Sequence, residues 1–209
     1  MIPNTNNRLP AVARIDFTIS QDWSKLIEAY ENIKQRWQSG SLKNKKWVEE
    51  YNTEQFDFGD YGSLVSLDSI SSTPYSAAML NGAIVLSLLP WAKQLQKDLE
   101  ELDITGMTFF ETQGPITPHK DGVVQGTNYE GHCRLNYIIT DCDAVTYVDN
   151  DGKIESYPSQ AGTAWLLNTQ KQHWVKNQGT RHLFQVSFNK PFDKVLAWFK
   201  SRPALHYGS

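Results

Sequence analysis

Pro118-His119-Lys120-Asp121-Gly122 sets an imidazole and a carboxylate two residues apart. On an extended strand, side chains at i and i+2 share a face and the one between them turns away. His119 and Asp121 can therefore be presented together, with Lys120 directed outward. A third ligand of suitable type stands in the β-like stretch Gln172-His173-Trp174-Val175, whose histidine follows His119 by 54 residues. Two histidines and one carboxylate on one face of a metal leave three positions open, the ligand set of non-haem Fe(II) oxygenases. Taken alone, the same spacing also fits a hydrogen-bonded loop histidine beside a turn at Asp121-Gly122, because so short a motif arises readily by chance.

Two arginines extend the pattern. Arg181 follows His173 by eight residues and opens a strand running to Phe188. One face of that strand carries Arg181, Leu183, Gln185 and Ser187; the other carries Phe184, Val186 and Phe188. Arg134 opens an earlier strand with Asn136 on its own face and Leu135, Tyr137 and Ile139 opposite. A planar guanidinium is the natural bidentate partner of a carboxylate. Two strand arginines aimed at a metal pocket suit an anionic co-substrate better than a core, while either one singly also fits a surface ion pair.

The elements that must position these residues change character along the chain. From Asp22 to Trp37 the apolar residues Trp23, Leu26, Ile27, Tyr30, Ile33 and Trp37 keep helical spacing, with Ser20 or Asp22 as the cap. A second helix is expected from Pro90, a tolerated first-turn proline, to Leu102, with Trp91, Leu95, Leu99 and Leu102 on one stripe. The aromatic stretch Trp47–Tyr75 gives no clear pattern, and Lys43-Asn44-Lys45-Lys46 reads as a solvated loop. From Ile104 the texture is short strands: Gly106–Thr112, Arg134–Thr140, Val145–Val148, Lys153–Tyr157, Thr163–Leu167, His173–Val175 and Leu183–Phe188. Asn150-Asp151-Gly152 joins two of them as a tight hairpin. A last helix spans Asp193–Lys200. Strands at this spacing argue for a sandwich or closed barrel.

Composition excludes several classes. Lys and Arg total 20 against 23 Asp and Glu, a net charge of −3, so no basic field exists to grip nucleic acid or an anionic membrane. Two cysteines cannot build a disulfide framework or a cysteine-only zinc site, and Cys133 and Cys142 read as buried thiols. The longest apolar run, Ala77–Ala92, is interrupted by Asn81, Gly82, Ser87 and Pro90 and falls short of the roughly 20 residues of a spanning helix. It reads as core. Met1–Arg8 lacks the apolar stretch of a secretory signal, which makes a cytoplasmic location the expectation. Asp149-Asn150-Asp151-Gly152 lacks the terminal acid of a calcium loop. No glycine-rich phosphate loop or nucleophile elbow occurs, and His132, His182 and His206 have no acidic residue at ligand spacing and read as structural.

Phe109 to Asp193 resembles the aspartyl/asparaginyl β-hydroxylase-like group of Fe(II)- and 2-oxoglutarate-dependent oxygenases, and the related microbial proline hydroxylases. The matching text is Gly114–Gly122, then Cys133-Arg134-Leu135-Asn136-Tyr137, Gly162-Thr163-Ala164-Trp165-Leu166-Leu167-Asn168, His173, Val175, Asn177 and Arg181. The resemblance implies one mainly β (α+β) domain: an N-terminal helical and irregular flank over 1–103, a double-stranded β-helix (jelly-roll, cupin-like) core over 104–192, and a C-terminal helix and tail over 193–209. It implies that His119, Asp121 and His173 bind Fe(II), that Arg181 pairs with the far carboxylate of 2-oxoglutarate, and that Arg134 is a second carboxylate contact. The animal hydroxylases carry a histidine where this chain has Asn136, which could still donate a hydrogen bond to the co-substrate, and a glycine where it has Asp121.

The activity implied is hydroxylation of an unactivated C–H bond, with O2 consumed and 2-oxoglutarate converted to succinate and carbon dioxide. The target would be a small molecule or peptide (free or peptidyl Asp, Asn or Pro), with no nucleic-acid or membrane partner. The loop between Asp121 and Arg134 is expected to border the mouth and select it, and Trp165, Trp174 and Tyr137 read either as dry walls or as plain core. Two rivals remain: a cupin-like barrel that binds a metal and a small acid without oxygenation, and a degenerate barrel serving as an interaction module.

Overall fold

The computed structural model describes residues 8–38, 76–80, 89–121, 132–176 and 179–208. Two antiparallel sheets face each other. The larger has the order β1 (Val12–Ile15), β9 (Ala164–Asn168), β6 (Cys133–Ile138), β11 (Thr180–Phe188), β4 (Ile104–Gln113) and β3 (Ser76–Leu80). The smaller has the order β5 (Ile116–His119), β10 (Gln172–Lys176), β7 (Val145–Asn150) and β8 (Lys153–Pro158). From β4 to β11 the chain crosses between the sheets at every connection except the β7–β8 hairpin. That winding is a double-stranded β-helix, the expected core. At the hairpin, Asp151 (φ 51°) and Gly152 (φ 90°) both take the left-handed region, as a two-residue turn matched to strand twist requires.

The two faces of the larger sheet bury against different partners. On one, Leu135, Tyr137, Leu166, Phe184, Val186 and Phe188 form the main core with residues of the helices α1 (Ser24–Gln38), α2 (Ala92–Asp98) and α3 (Phe192–Lys200). On the other, Ile138 and Leu183 meet Tyr157 of the smaller sheet. With both faces covered, eight of the nine residues of β11 are buried, whereas the edge strand β8 buries only Tyr157 fully. Asp22 caps α1 by accepting from the Ser24 amide at 3.0 Å. The second helix stops at Leu99, passes through a 3-10 turn at Glu100–Leu102, and is ended by Asp103 in the left-handed conformation (φ 56°). Leu95, Leu99 and Leu102 are buried, as their stripe predicts, and so are Leu89 and Ala92 from the end of the apolar run.

All seven expected strands are present. Residues before Ile104 supply both edge strands of the larger sheet, β1 and β3. A two-strand parallel sheet, β2 (Phe17–Ser20) with β12 (Leu205–Gly208), lies outside the barrel. Strands of four residues are too short for alternation to announce them. β1 is held instead by its pairing with β9 and by the Glu155 carboxylate, which accepts from the amides of Ala11 and Val12 at 2.7 and 3.2 Å. The lysine cluster at 43–46, the 47–75 stretch and most of the loop after Asp121 lie outside the described residues. No described helix is long and apolar enough to cross a membrane.

Candidate active site

β5 and β10 pair with His119 directly opposite His173, so adjacent strands of the smaller sheet bring the two imidazoles to a ring separation of 4.3 Å. Asp121, just past β5, is anchored by its amide, which donates to the Thr169 carbonyl at 3.1 Å. Its Oδ1 lies 3.6 Å from His119 Nε2 and 3.8 Å from His173 Nε2. One nitrogen from each ring and one carboxylate oxygen thus fall within 4.8 Å of one another.

Backbone carbonyls decide which nitrogens face inward. His119 Nδ1 is 2.8 Å from the Thr117 carbonyl and His173 Nδ1 is 3.0 Å from that of Lys171. A carbonyl can only accept, so each Nδ1 carries a proton and each ring turns its Nε2 toward Asp121. Burial drives the His173 pKa down, partly opposed by the Asp121 charge and the Lys171 carbonyl, which favours the neutral ring a metal requires. His173 is 6% exposed, while the His119 side chain is 39% exposed and forms the open side of the group. Two imidazole nitrogens and one carboxylate oxygen converging in this way are a donor set that fits a divalent iron.

The register of β6 and β11 puts Arg134 opposite Ser187 and Asn136 opposite Gln185. With Leu183 and Arg181, these residues line the face turned toward the smaller sheet. The two arginines stand at different levels of that face. Arg134 reaches across to Asp121, its Nη2 3.1 Å from Oδ2. Arg181 reaches Thr146 instead, donating from Nη1 to Oγ1 at 3.0 Å. Because Thr146 pairs with Val175 and Val148 pairs with His173, that contact lies one inward-facing position, about 7 Å, along from the imidazole.

Arg181 is 3% exposed, its Nε has no hydrogen-bond partner among the described residues, and burial lowers its pKa against the opposing influence of Tyr157 and Cys142. Asn136 is committed to the protein: its Nδ2 donates to the Tyr157 hydroxyl at 2.9 Å and its Oδ1 accepts from Gln185 at 2.8 Å. Asn136 therefore orients Tyr157, and the phenolic proton is left to donate elsewhere. Thr146 and Tyr157 have no signature in the sequence, since only the facing of the sheets brings them to Arg181.

Other residues take structural places. Tyr137 turns to the helices, donates to the Ile19 carbonyl and packs on Phe17 and Trp23. Trp174 stacks on Tyr147 on the outward face of the smaller sheet, and Trp165, stacked on Tyr157, is the one of the three that lines the interior between the sheets. His182 does have an acid: Glu111, its cross-strand partner on β4, places Oε2 3.1 Å from Nε2. That pair, with Glu31 nearby, sits on the helix-facing side of β11 and so is separate from the His119 group. Burial pushes the Cys133 thiol up to about 12, the behaviour of an inert core cysteine. A cleft of about 370 Å³ opens beside Arg8, Asn150, Lys171 and Asp193 and shares no residue with the His119 group.

No family model and no curated protein matches the chain. Among solved structures, a prolyl hydroxylase in complex with a hypoxia inducible factor oxygen degradation domain peptide fragment, from Trichoplax adhaerens, covers 90% of this chain and 86% of its own, at 15% identity and a TM-score of 0.48. A 2OG-Fe(II) oxygenase family oxidoreductase from Burkholderia pseudomallei is similar over 58% of this chain and 76% of its own, at 11% identity and a TM-score of 0.42. A Pseudomonas putida prolyl-4-hydroxylase is similar over 55% and 72%, at 13% identity and a TM-score of 0.41.

Proposed function

We propose that the protein is an Fe(II)- and 2-oxoglutarate-dependent dioxygenase that hydroxylates an amino-acid side chain, free or within a peptide. The observation that carries this reading is Arg181. A guanidinium buried to 3% exposure with an unpartnered Nε is costly unless a counter-charge arrives, and no ion pair joins Arg181 to a carboxylate among the described residues. A small dicarboxylic acid reaching from the His119 group to the Thr146 level would supply that charge.

On this reading His119, Asp121 and His173 hold the iron, and Arg181, Thr146 and the Tyr157 hydroxyl hold the far carboxylate of 2-oxoglutarate. When bound, iron, 2-oxoglutarate and O2 supply an oxidation in which the keto acid loses carbon dioxide to become succinate, one oxygen atom entering the succinate and the other a C–H bond of the target. The chain's own residues keep this productive. The carbonyls of Thr117 and Lys171 fix both rings with Nε2 inward. The donors around Arg181 fix the co-substrate in register, where loss of orientation is expensive. Ile138, Leu183 and Trp165 form an apolar wall beside it that excludes water.

A cupin-like barrel that binds metal and acid without oxygenation would share this architecture, and anaerobic titration separates the two. Metal-free protein is given Fe(II), then 2-oxoglutarate, and the visible band of an iron-chelated keto acid is followed. The band is expected in the wild type and lost in His173→Ala. Fe(II) binding without the band would favour the non-oxygenase barrel, and binding of neither ligand would overturn both readings.

A further inference from the structure

We infer that Arg134 is a positioning residue for Asp121, holding its carboxylate in the orientation that turns one oxygen to the two imidazoles and the other to the guanidinium. The inference rests on the proposed reading of His119, Asp121 and His173 as metal ligands. It departs from the role that the resemblance gives Arg134 as a second co-substrate contact.

The two oxygens of Asp121 have different surroundings. Oδ1 faces both Nε2 atoms, at 3.6 and 3.8 Å. Oδ2 is buried, takes no aligned hydrogen bond among the described residues, and has Arg134 Nη2 as its charge partner at 3.1 Å. The backbone amide fixes where the residue starts, by its bond to Thr169, but leaves the carboxylate free to turn about its side-chain torsions. The guanidinium removes that freedom, because tilting the carboxylate out of this orientation would carry its second oxygen away from the positive charge. Arg134 comes from the opposite sheet and lies at the Ser187 level of β11, six residues from Arg181 in register terms. Its partner is thus the ligand rather than the acid pocket. Partners that orient a ligand typically control metal affinity by about 10–100-fold.

The test uses Co(II) alone as the probe, read by its visible spectrum, on wild type, Arg134→Met, Arg134→Lys and His173→Ala, with thermal melts to verify folding. Arg134→Met is expected to weaken Co(II) binding by about 10–100-fold and to alter the band shape. Its affinity for 2-oxoglutarate at saturating metal should stay within about threefold of wild type, a change well below that of losing a direct charged contact. Arg134→Lys, which keeps the charge, should recover most of the metal affinity and serves if the methionine variant does not fold. Unchanged Co(II) affinity with a tenfold or greater loss of 2-oxoglutarate affinity would overturn the inference and make Arg134 a co-substrate contact. Unchanged Co(II) binding in His173→Ala would instead overturn the reading of the metal site itself.

Discussion

Neighbouring residues of β11 are equally buried and do opposite things. Phe184, Val186 and Phe188 turn toward the helices and join the main apolar core, and His182 on the same side is met by Glu111. Arg181, Gln185 and Ser187 turn toward the smaller sheet, no more than 8% exposed, among hydroxyls and amides. On the first face the protein satisfies itself, in its carbon packing and in the His182–Glu111 pair alike. On the second, the Gln185–Asn136–Tyr157 chain is also satisfied internally, yet Arg181 is left with a buried charge and no acid among the described residues. Burial therefore does not separate fold from function in this molecule. What separates them is whether the protein completes its own polar groups.

The comparison can be broken from either side. Phe184→Ala should cost about 3–5 kcal/mol in urea unfolding, the usual penalty for emptying a large aromatic site. A loss below about 1 kcal/mol would mean that the helix-facing side is not the main store of stability. Arg181→Met should leave the unfolding midpoint unchanged or raise it, since a buried charge is replaced by an apolar side chain of similar length. In the same variant 2-oxoglutarate affinity should fall by about 100-fold, corresponding to loss of a charge-assisted contact of about 2–3 kcal/mol. If Arg181→Met instead unfolds the protein as Phe184→Ala does, the two faces do the same job and the distinction fails.

A smaller effect sharpens the contrast, because one polar group on the inward side of the smaller sheet serves the fold. Burial pushes the Glu155 carboxyl up, but hydrogen bonds from Asn150 and the amides of Ala11 and Val12 outweigh it and hold the pKa below its ordinary value. A carboxyl depressed in the folded state adds stability that is complete above its unfolded pKa and fades as pH falls through the folded one. Glu155→Gln should therefore cost about 1–2 kcal/mol at pH 7. Its melting difference from wild type should shrink from roughly pH 4.5 downward, and 2-oxoglutarate binding at pH 7 should be untouched. A difference that persists at low pH would assign the loss to shape rather than charge.

Alternation told which residues of β6 and β11 share a face, and Asn150-Asp151-Gly152 announced its turn, because both are local rules of strand and hairpin geometry. His119, Asp121 and His173 could be grouped from residue type and spacing, and the structure brings them together. Level within the barrel was not legible. Arg134 and Arg181 look alike in sequence, each opening a strand, but antiparallel pairing of β6 with β11 sends them to different ends of one face. Partners that arrive across the fold were hidden for the same reason. Glu111 meets His182 from 71 residues away, and Thr146 and Tyr157 come to Arg181 from the facing sheet.

The two sheets also divide the site between them. His119, Asp121 and His173 belong to or directly follow strands of the smaller sheet, while Arg134 and Arg181 rise from the larger one. An ion held by the first group alone loads a single plate of the sandwich. On the proposed reading, a dicarboxylate gripped at both ends would act as a strut between the plates. Breathing of the barrel, read as amide exchange in β7 and β11, would then be damped by ion and acid together and hardly by the ion on its own.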